Sequence, residues 1–200
     1  MDAAHNVATN LGQGVKVAVI DTGLDVQHPM FQGALVPASD MWDFVGNDAD
    51  PQEEGVLGTG GFGHGTAVAG IVLQVAPAAK IMPLRVLGPD GSGDVTHLAA
   101  AIDWAVAKGA RVINLSLGSD DMSPAVEASL QAATAQGALV VSSSGNANTT
   151  NISYPASHAH LDNTPTGSGW RRLSVTSIDA TFNKSAFANY GKRLGNRRAR

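Results

Sequence analysis

Three polar residues stand where this sequence leaves apolar runs, and their types can do chemistry together. Asp21 follows the β-branched run "VKVAVI" (15–20). His64 sits between two glycines in "FGHGTAVAGIV" (62–72), directly before a stretch of small and apolar residues. Asn146 ends "VVSSSGN". An imidazole acting as a general base needs a carboxylate, withdrawn from water, to hold its tautomer and stabilise its charged form. An oxyanion formed by attack on a carbonyl needs an amide N–H aimed at it. The glycines beside His64 allow a sharp backbone and a close substrate approach. Ser116, after "VINL", is a fourth polar group at such an end. Each residue also has a plain reading: Asp and Asn are turn formers, and a lone histidine is commonly structural.

The elements that would position these groups alternate. "VKVAVI" reads as a buried strand. A helical pattern opens near His64, and "AKIMPLRVL" (79–87) reads as a strand followed by the turn "GPDGSGD". "DVTHLAAAIDWAVAKG" (94–109) is an amphipathic helix with Leu98, Ile102, Ala105 and Val106 on one face and Gly109 as its stop. "ARVINLSLG" (110–118) is a strand. "SPAVEASLQAATAQG" (123–137) is a helix with Ser123 as N-cap, Pro124 at its first position and Gly137 closing it. "ALVVSSSGN" (138–146) and "RLSVTSI" (172–178) are further strands. Strands apolar on both faces and separated by helices specify an α/β fold: a parallel sheet with helices on both faces and right-handed crossovers. In such sheets function gathers at the carboxyl ends of the strands, where Asp21, Ser116 and Asn146 lie.

The 200 residues suffice for one sizeable core, and 44% hydrophobic with 15% charged residues describes a globular chain. Cysteine is absent, which excludes disulfides and thiolate chemistry. No apolar run approaches the about 18 residues a membrane-spanning helix needs, and "MDAAHNVATN" has no signal-peptide pattern. Charge is uneven. Residues 1–170 carry 16 acids against 5 bases, and residues 171–200 carry 1 acid against 8 bases. The basic tail 192–200, "KRLGNRRAR", has no aromatic interleaving and reads as a solvated end, so neither a nucleic-acid nor a membrane partner is expected.

"VAVIDTGLD" followed by "GHGTAVAGIV" resembles the subtilisin-like serine proteases, as do "VLGPDGSGD", "VINLSLGS" and "VVSSSGNANTTNISYPAS", in the family's order. The likeness runs from about residue 12 to about 191, giving one peptidase domain over 1–191. The resemblance implies that Asp21 is the triad acid, His64 the base and Asn146 the oxyanion-hole donor. It implies that Leu115, Ser116, Leu117 and Gly118, with Ser143, Ser144 and Gly145, wall the primary specificity pocket. Gly91, Ser92 and Gly93 would be the edge that pairs with an extended peptide or protein substrate. It also implies a secreted protein and no organic cofactor.

The family's nucleophile motif, Gly-Thr-Ser-Met-Ala, is not found in these 200 residues, and no apolar helix follows Ser168 in "PTGSGW". The chain therefore reads as the first two-thirds of a protease domain, truncated at its C-terminal end. The expected function is serine-type peptide-bond hydrolysis through an acyl-enzyme, with this stretch alone inactive. The other reading is a non-catalytic remnant that at most binds extended peptides. Without the serine-bearing helix, the apolar faces of its strands would be partly uncovered and prone to self-association. One loop adds a candidate cation site. "WDFVGNDADPQ" (42–52) places Asp43, Asp48, Asp50 and Gln52 together, and hard oxygen ligands suit calcium. A solvated acidic turn is the alternative. His158 and His160 read as loop residues.

Overall fold

A computed structural model describes residues 2–159 and 171–191. They fall into two compact units, residues 1–113 and residues 114 onward. The tail 192–200, His160 and Ser168 lie outside the described residues.

In the first unit, helix α1 (Asp2–Val7) precedes strand β1 (Lys16–Asp21). Strand β2 (Trp42–Asp43) follows, then helix α2 (His64–Val75), strand β3 (Lys80–Arg85) and helix α3 (Val95–Ala107). The strands are parallel in the order β2-β3-β1. β1 alternates its side chains between the two faces of the sheet. Val17 and Val19 join Ala69 and Leu73 of α2, with Leu24, Phe31 and Ile81, in one buried cluster. The opposite side carries Ala18 and Ile20, both fully buried. α3, which packs on β1 and β3, buries Leu98, Ala101, Ile102 and Ala105. Trp104 anchors its far end: its ring lies 5.1 Å from that of Trp42, and its Nε1–H donates to the Asp40 carbonyl at 3.0 Å. The register aligns Asp43, Arg85 and Asp21 in one row at the carboxyl ends of the three strands.

Strand β4 (Val112–Leu115) spans the boundary between the units. The second unit continues with helix α4 (Pro124–Ala135), strand β5 (Leu139–Ser143) and strand β6 (Arg172–Val175), which pairs in parallel with β5. Helix boundaries follow local chemistry. Ser123 caps α4, Pro124 fills its first turn, and Gly109 and Gly137, both at positive φ, follow α3 and α4. The strands are shorter than the apolar runs that announced them. The two-residue β2 and the short α1 carry no periodic signal and were not expected.

One ion-pair cluster ties the second unit together. Arg172 donates to both oxygens of Glu127, at 2.6 and 3.1 Å, and Glu127 also accepts from Tyr154 Oη at 3.2 Å and Gln131 Nε2 at 3.2 Å. Burial opposes the Glu127 charge. Arg172, through its hydrogen bonds and its charge, outweighs burial, and with Gln131 and His158 holds the carboxyl at about 2 against an ordinary 4.5. A depressed carboxyl stabilises the fold above its unfolded value and loses that contribution as pH falls through the folded one. The window is pH 4.5 down to about 2, and the contribution is about 3 kcal/mol. Glu127→Gln is therefore expected to flatten the acid limb of a stability-against-pH curve there. An unchanged limb, read by urea melts at stepped pH, contradicts this assignment.

Candidate active site

β1 ends at Asp21, and the chain turns through Thr22 and Gly23. α2 begins at His64. The start of α2 lies close against this turn, because a Cβ on Gly65 would stand 2.1 Å from the Gly23 carbonyl oxygen. Only glycine allows that approach, and it places the two side chains in contact. His64 Nδ1 is 2.6 Å from Asp21 Oδ1. A carboxylate only accepts, so Nδ1 carries the proton and Nε2 is the free lone pair. Asp21 is fully buried, and its Oδ1 also accepts from the Thr22 N–H at 2.8 Å. Its Oδ2 has no partner among the described residues, so the carboxylate gains little elsewhere to compete with the imidazole. The His64 side chain is 47% exposed. The hydrogen bond that His64 donates to Asp21 raises the His64 pKa above its ordinary 6.5, against partial burial and with help from the charges of Asp21 and Glu53. A half-exposed imidazole with one nitrogen tied to a buried carboxylate is the arrangement of a general base.

The second unit places the other expected groups. Asn146 is exposed in the loop after β5. That loop is organised by a residue the sequence reading missed. Asn189, 2% exposed, accepts from the Ala147 N–H at 2.8 Å and the Thr149 N–H at 3.3 Å, and donates to the carbonyls of Ser144 and Asn151, both at 3.0 Å. Gly145 allows this, since a Cβ there would lie 2.4 Å from Asn189 Nδ2. Leu115 and Ser144 are buried, while Ser116, Leu117 and Ser143 are half-buried. The Ser143 hydroxyl reaches the Leu117 carbonyl at 3.5 Å, and Asn114 donates to the Ser116 hydroxyl at 2.9 Å. In the first unit, Gly91, Ser92 and Gly93 are exposed on a tight turn. The Gly88 N–H donates to the Ser92 carbonyl at 2.8 Å, and Gly93 bridges antiparallel to Leu87.

The loop 42–52 holds its four candidate calcium ligands among protein partners. Asp43 is buried and already satisfied: Oδ2 meets Arg85 Nη1 at 2.8 Å, and Oδ1 accepts from the N–H groups of Val45 and Gly46. Gln52 Oε1 accepts from the Val26 N–H at 3.2 Å, and Asp48 Oδ1 from the Asp50 N–H at 2.8 Å. A cation drawn to Asp43 would also sit beside the Arg85 guanidinium. Among the described residues no group of three or more His, Cys, Asp or Glu gathers to hold a metal.

The family model that matches this sequence is the subtilase family of peptidases, over residues 12–199. The chain belongs to the subtilase family. This subtilase chain is 37% identical to thermitase from Thermoactinomyces vulgaris, over 90% of its own length and 61% of that protein. It is 37% identical to Subtilisin BL from Lederbergia lenta, over 96% of its length and 65% of that protein. A cold adapted subtilisin-like serine proteinase superposes with a TM-score of 0.71 at 32% identity, covering 92% of this chain and 62% of the other. A lanthipeptide protease superposes with a TM-score of 0.75 at 26% identity. The expected fold, a parallel sheet with helices, is thus the subtilase fold. The chain spans 61–65% of these two curated relatives.

Proposed function

We propose that this subtilase chain carries the acid–base half of a serine-type endopeptidase that cleaves peptide bonds through an acyl-enzyme. The supporting observation is the 2.6 Å contact between buried Asp21 and half-exposed His64. In this reading the serine is supplied from outside these 200 residues. His64 Nε2 takes the proton from the serine hydroxyl as its oxygen attacks the carbonyl carbon. Asp21 stabilises the resulting imidazolium, and the Asn146 amide donates to the oxyanion. The imidazolium then gives its proton to the leaving amine. Water attacks the ester by the same route and frees the serine. Gly91–Gly93 would pair with the backbone of an extended peptide, and residues 115–118 with 143–145 would wall a pocket for a side chain. A secreted protein suits this role, and no helix among the described residues is long and apolar enough to cross a membrane.

A fluorophosphonate probe tests the proposal. The 200-residue chain is expected to stay unlabelled. The native protein containing it is expected to label on one serine outside this stretch, and to lose that labelling on His64→Ala, because removing one member of such a unit costs about 10⁴–10⁶ in turnover. A labelled serine within residues 1–200 overturns the reading. A native protein that neither labels nor cleaves peptides overturns it too, and leaves the non-catalytic, peptide-binding alternative.

A further inference from the structure

Helix α2 has no side-chain cap of its own. Gly63 at its N-cap is left-handed and makes no capping bond. Exposed N–H groups at a helix start need acceptors, and a negative charge there is favourable. Here the acceptor is Glu53, 6% exposed and ten residues upstream of Gly63. Its Oε1 accepts from the N–H groups of Gly63 and Gly65, both at 3.1 Å. These are the two residues that flank His64. The same oxygen accepts the hydroxyl of Thr22, the residue after Asp21, at 2.5 Å. The Thr22 hydroxyl oxygen also accepts from the Gly65 N–H, at 3.0 Å. Oε2 takes the hydroxyl of Thr66, whose oxygen accepts from the Asp25 N–H at 2.8 Å.

We infer that Glu53 is a positioning residue for the base: one buried carboxylate that ties the backbone on both sides of His64 to the turn after Asp21, and so sets the imidazole against its acid. This rests on reading His64 as the general base. Helix capping alone accounts for the bonds from the Gly63 and Gly65 N–H groups but not for that from the Thr22 hydroxyl. The carboxylate instead bridges the two segments that deliver the pair, and all four of its donors come from them. The titratable groups acting on His64 are Asp21, by direct contact, and Glu53, by its charge; both are acids, and both favour the imidazolium. A caesura in this network would loosen the Asp21 contact and remove a negative charge from beside the ring.

The test is an NMR titration of the His64 ring in the full chain, with the hydrogen-bonded Nδ1–H resonance read beside it. Glu53→Gln is expected to lower the His64 pKa, because it removes an acid that favours the imidazolium, and to weaken or abolish the Nδ1–H signal. Glu54→Gln, which removes the neighbouring exposed acid, is expected to leave both unchanged. A folded Glu53→Gln variant with an unmoved pKa and an intact Nδ1–H signal overturns the proposal, as does an equal shift in Glu54→Gln. Should Glu53→Gln unfold, Thr66→Val is read instead. It frees one end of the same carboxylate without removing its charge, and an unchanged Nδ1–H signal in it overturns the proposal. Neither readout needs a nucleophile or a substrate. Failure of the native protein to cleave peptides would sink the proposed function without moving either of these two readouts, so the two failures are told apart.

Discussion

Asp43→Ala is expected to lower the stability of the chain by about 3–5 kcal/mol, the cost of leaving a buried charge without its partner. The Arg85 side chain is 2% exposed and that of Asp43 is 3% exposed, at 2.8 Å from one another. Burial works against the guanidinium charge, and Glu54 and Asp43 together more than restore it. Glu54 also holds Arg85 at 2.8 Å, but its own side chain is 67% exposed, so water screens that pair. The Asp43 deletion therefore falls on the better-desolvated contact. It also orphans the N–H groups of Val45 and Gly46, which adds to the loss. A second change separates the causes. Asp43→Ala with Arg85→Met removes both charges, and recovery of part of the loss is expected, because a buried pair replaced by apolar groups is often near neutral. Urea midpoints of the two variants decide it. A single variant costing under about 1 kcal/mol would mean that Glu54 alone suffices for Arg85.

Gly65→Ala sets two effects of opposite sign against each other. Alanine improves helix propensity by up to about 1 kcal/mol. Its Cβ, however, would lie 2.1 Å from the Gly23 carbonyl oxygen and 3.3 Å from Asp21 Cβ. That oxygen belongs to the backbone of the turn after β1 and has no rotamer to escape into. Overpacking of this kind costs about 1–3 kcal/mol, occasionally more, so the clash wins. Relief comes only by backing the start of α2 away from β1, which stretches the Asp21–His64 contact. The expected result is a lower melting temperature together with a His64 pKa falling back toward 6.5, its ordinary value. A more stable variant with its His64 titration intact would show that the turn yields more easily than the distances imply.

The Asp21–His64 pair was legible because each residue follows or opens a periodic element, and because the flanking glycines are local signals of close approach. The ends of α4 were legible for a similar reason: Ser123, Pro124 and Gly137 act on their own neighbours in the chain. Glu53 was not legible. It lies in "DPQEEGVLGTGG", where nothing is periodic, and its partners are Thr22, Gly63, Gly65 and Thr66. Asn189 is hidden likewise, its partners lying 38–45 residues upstream. The role of Asp43 could have been suspected from the other side. Arg85 is a lone charge inside the apolar strand run "AKIMPLRVL", and a fully buried arginine requires an acid. Reading that demand first would have led to Asp43 as the partner of Arg85.

The division into two units bears on the order in which a ribosome makes this chain. Every group that holds the base, from Asp21 and Thr22 through Glu53 to Thr66, belongs to residues 1–113. Compact units of a nascent chain tend to fold as they emerge, N-terminal first. The pair can thus close before β5, the Asn146 loop and any serine further downstream have been translated. On the proposed function, the base is finished ahead of the nucleophile it serves, and the newborn polypeptide cannot cut itself or its neighbours while synthesis continues. Limited proteolysis of chains arrested on the ribosome shortly after residue 113 has emerged should find the first unit already protected. Digestion of that unit as readily as an unfolded chain would refute the sequence of events.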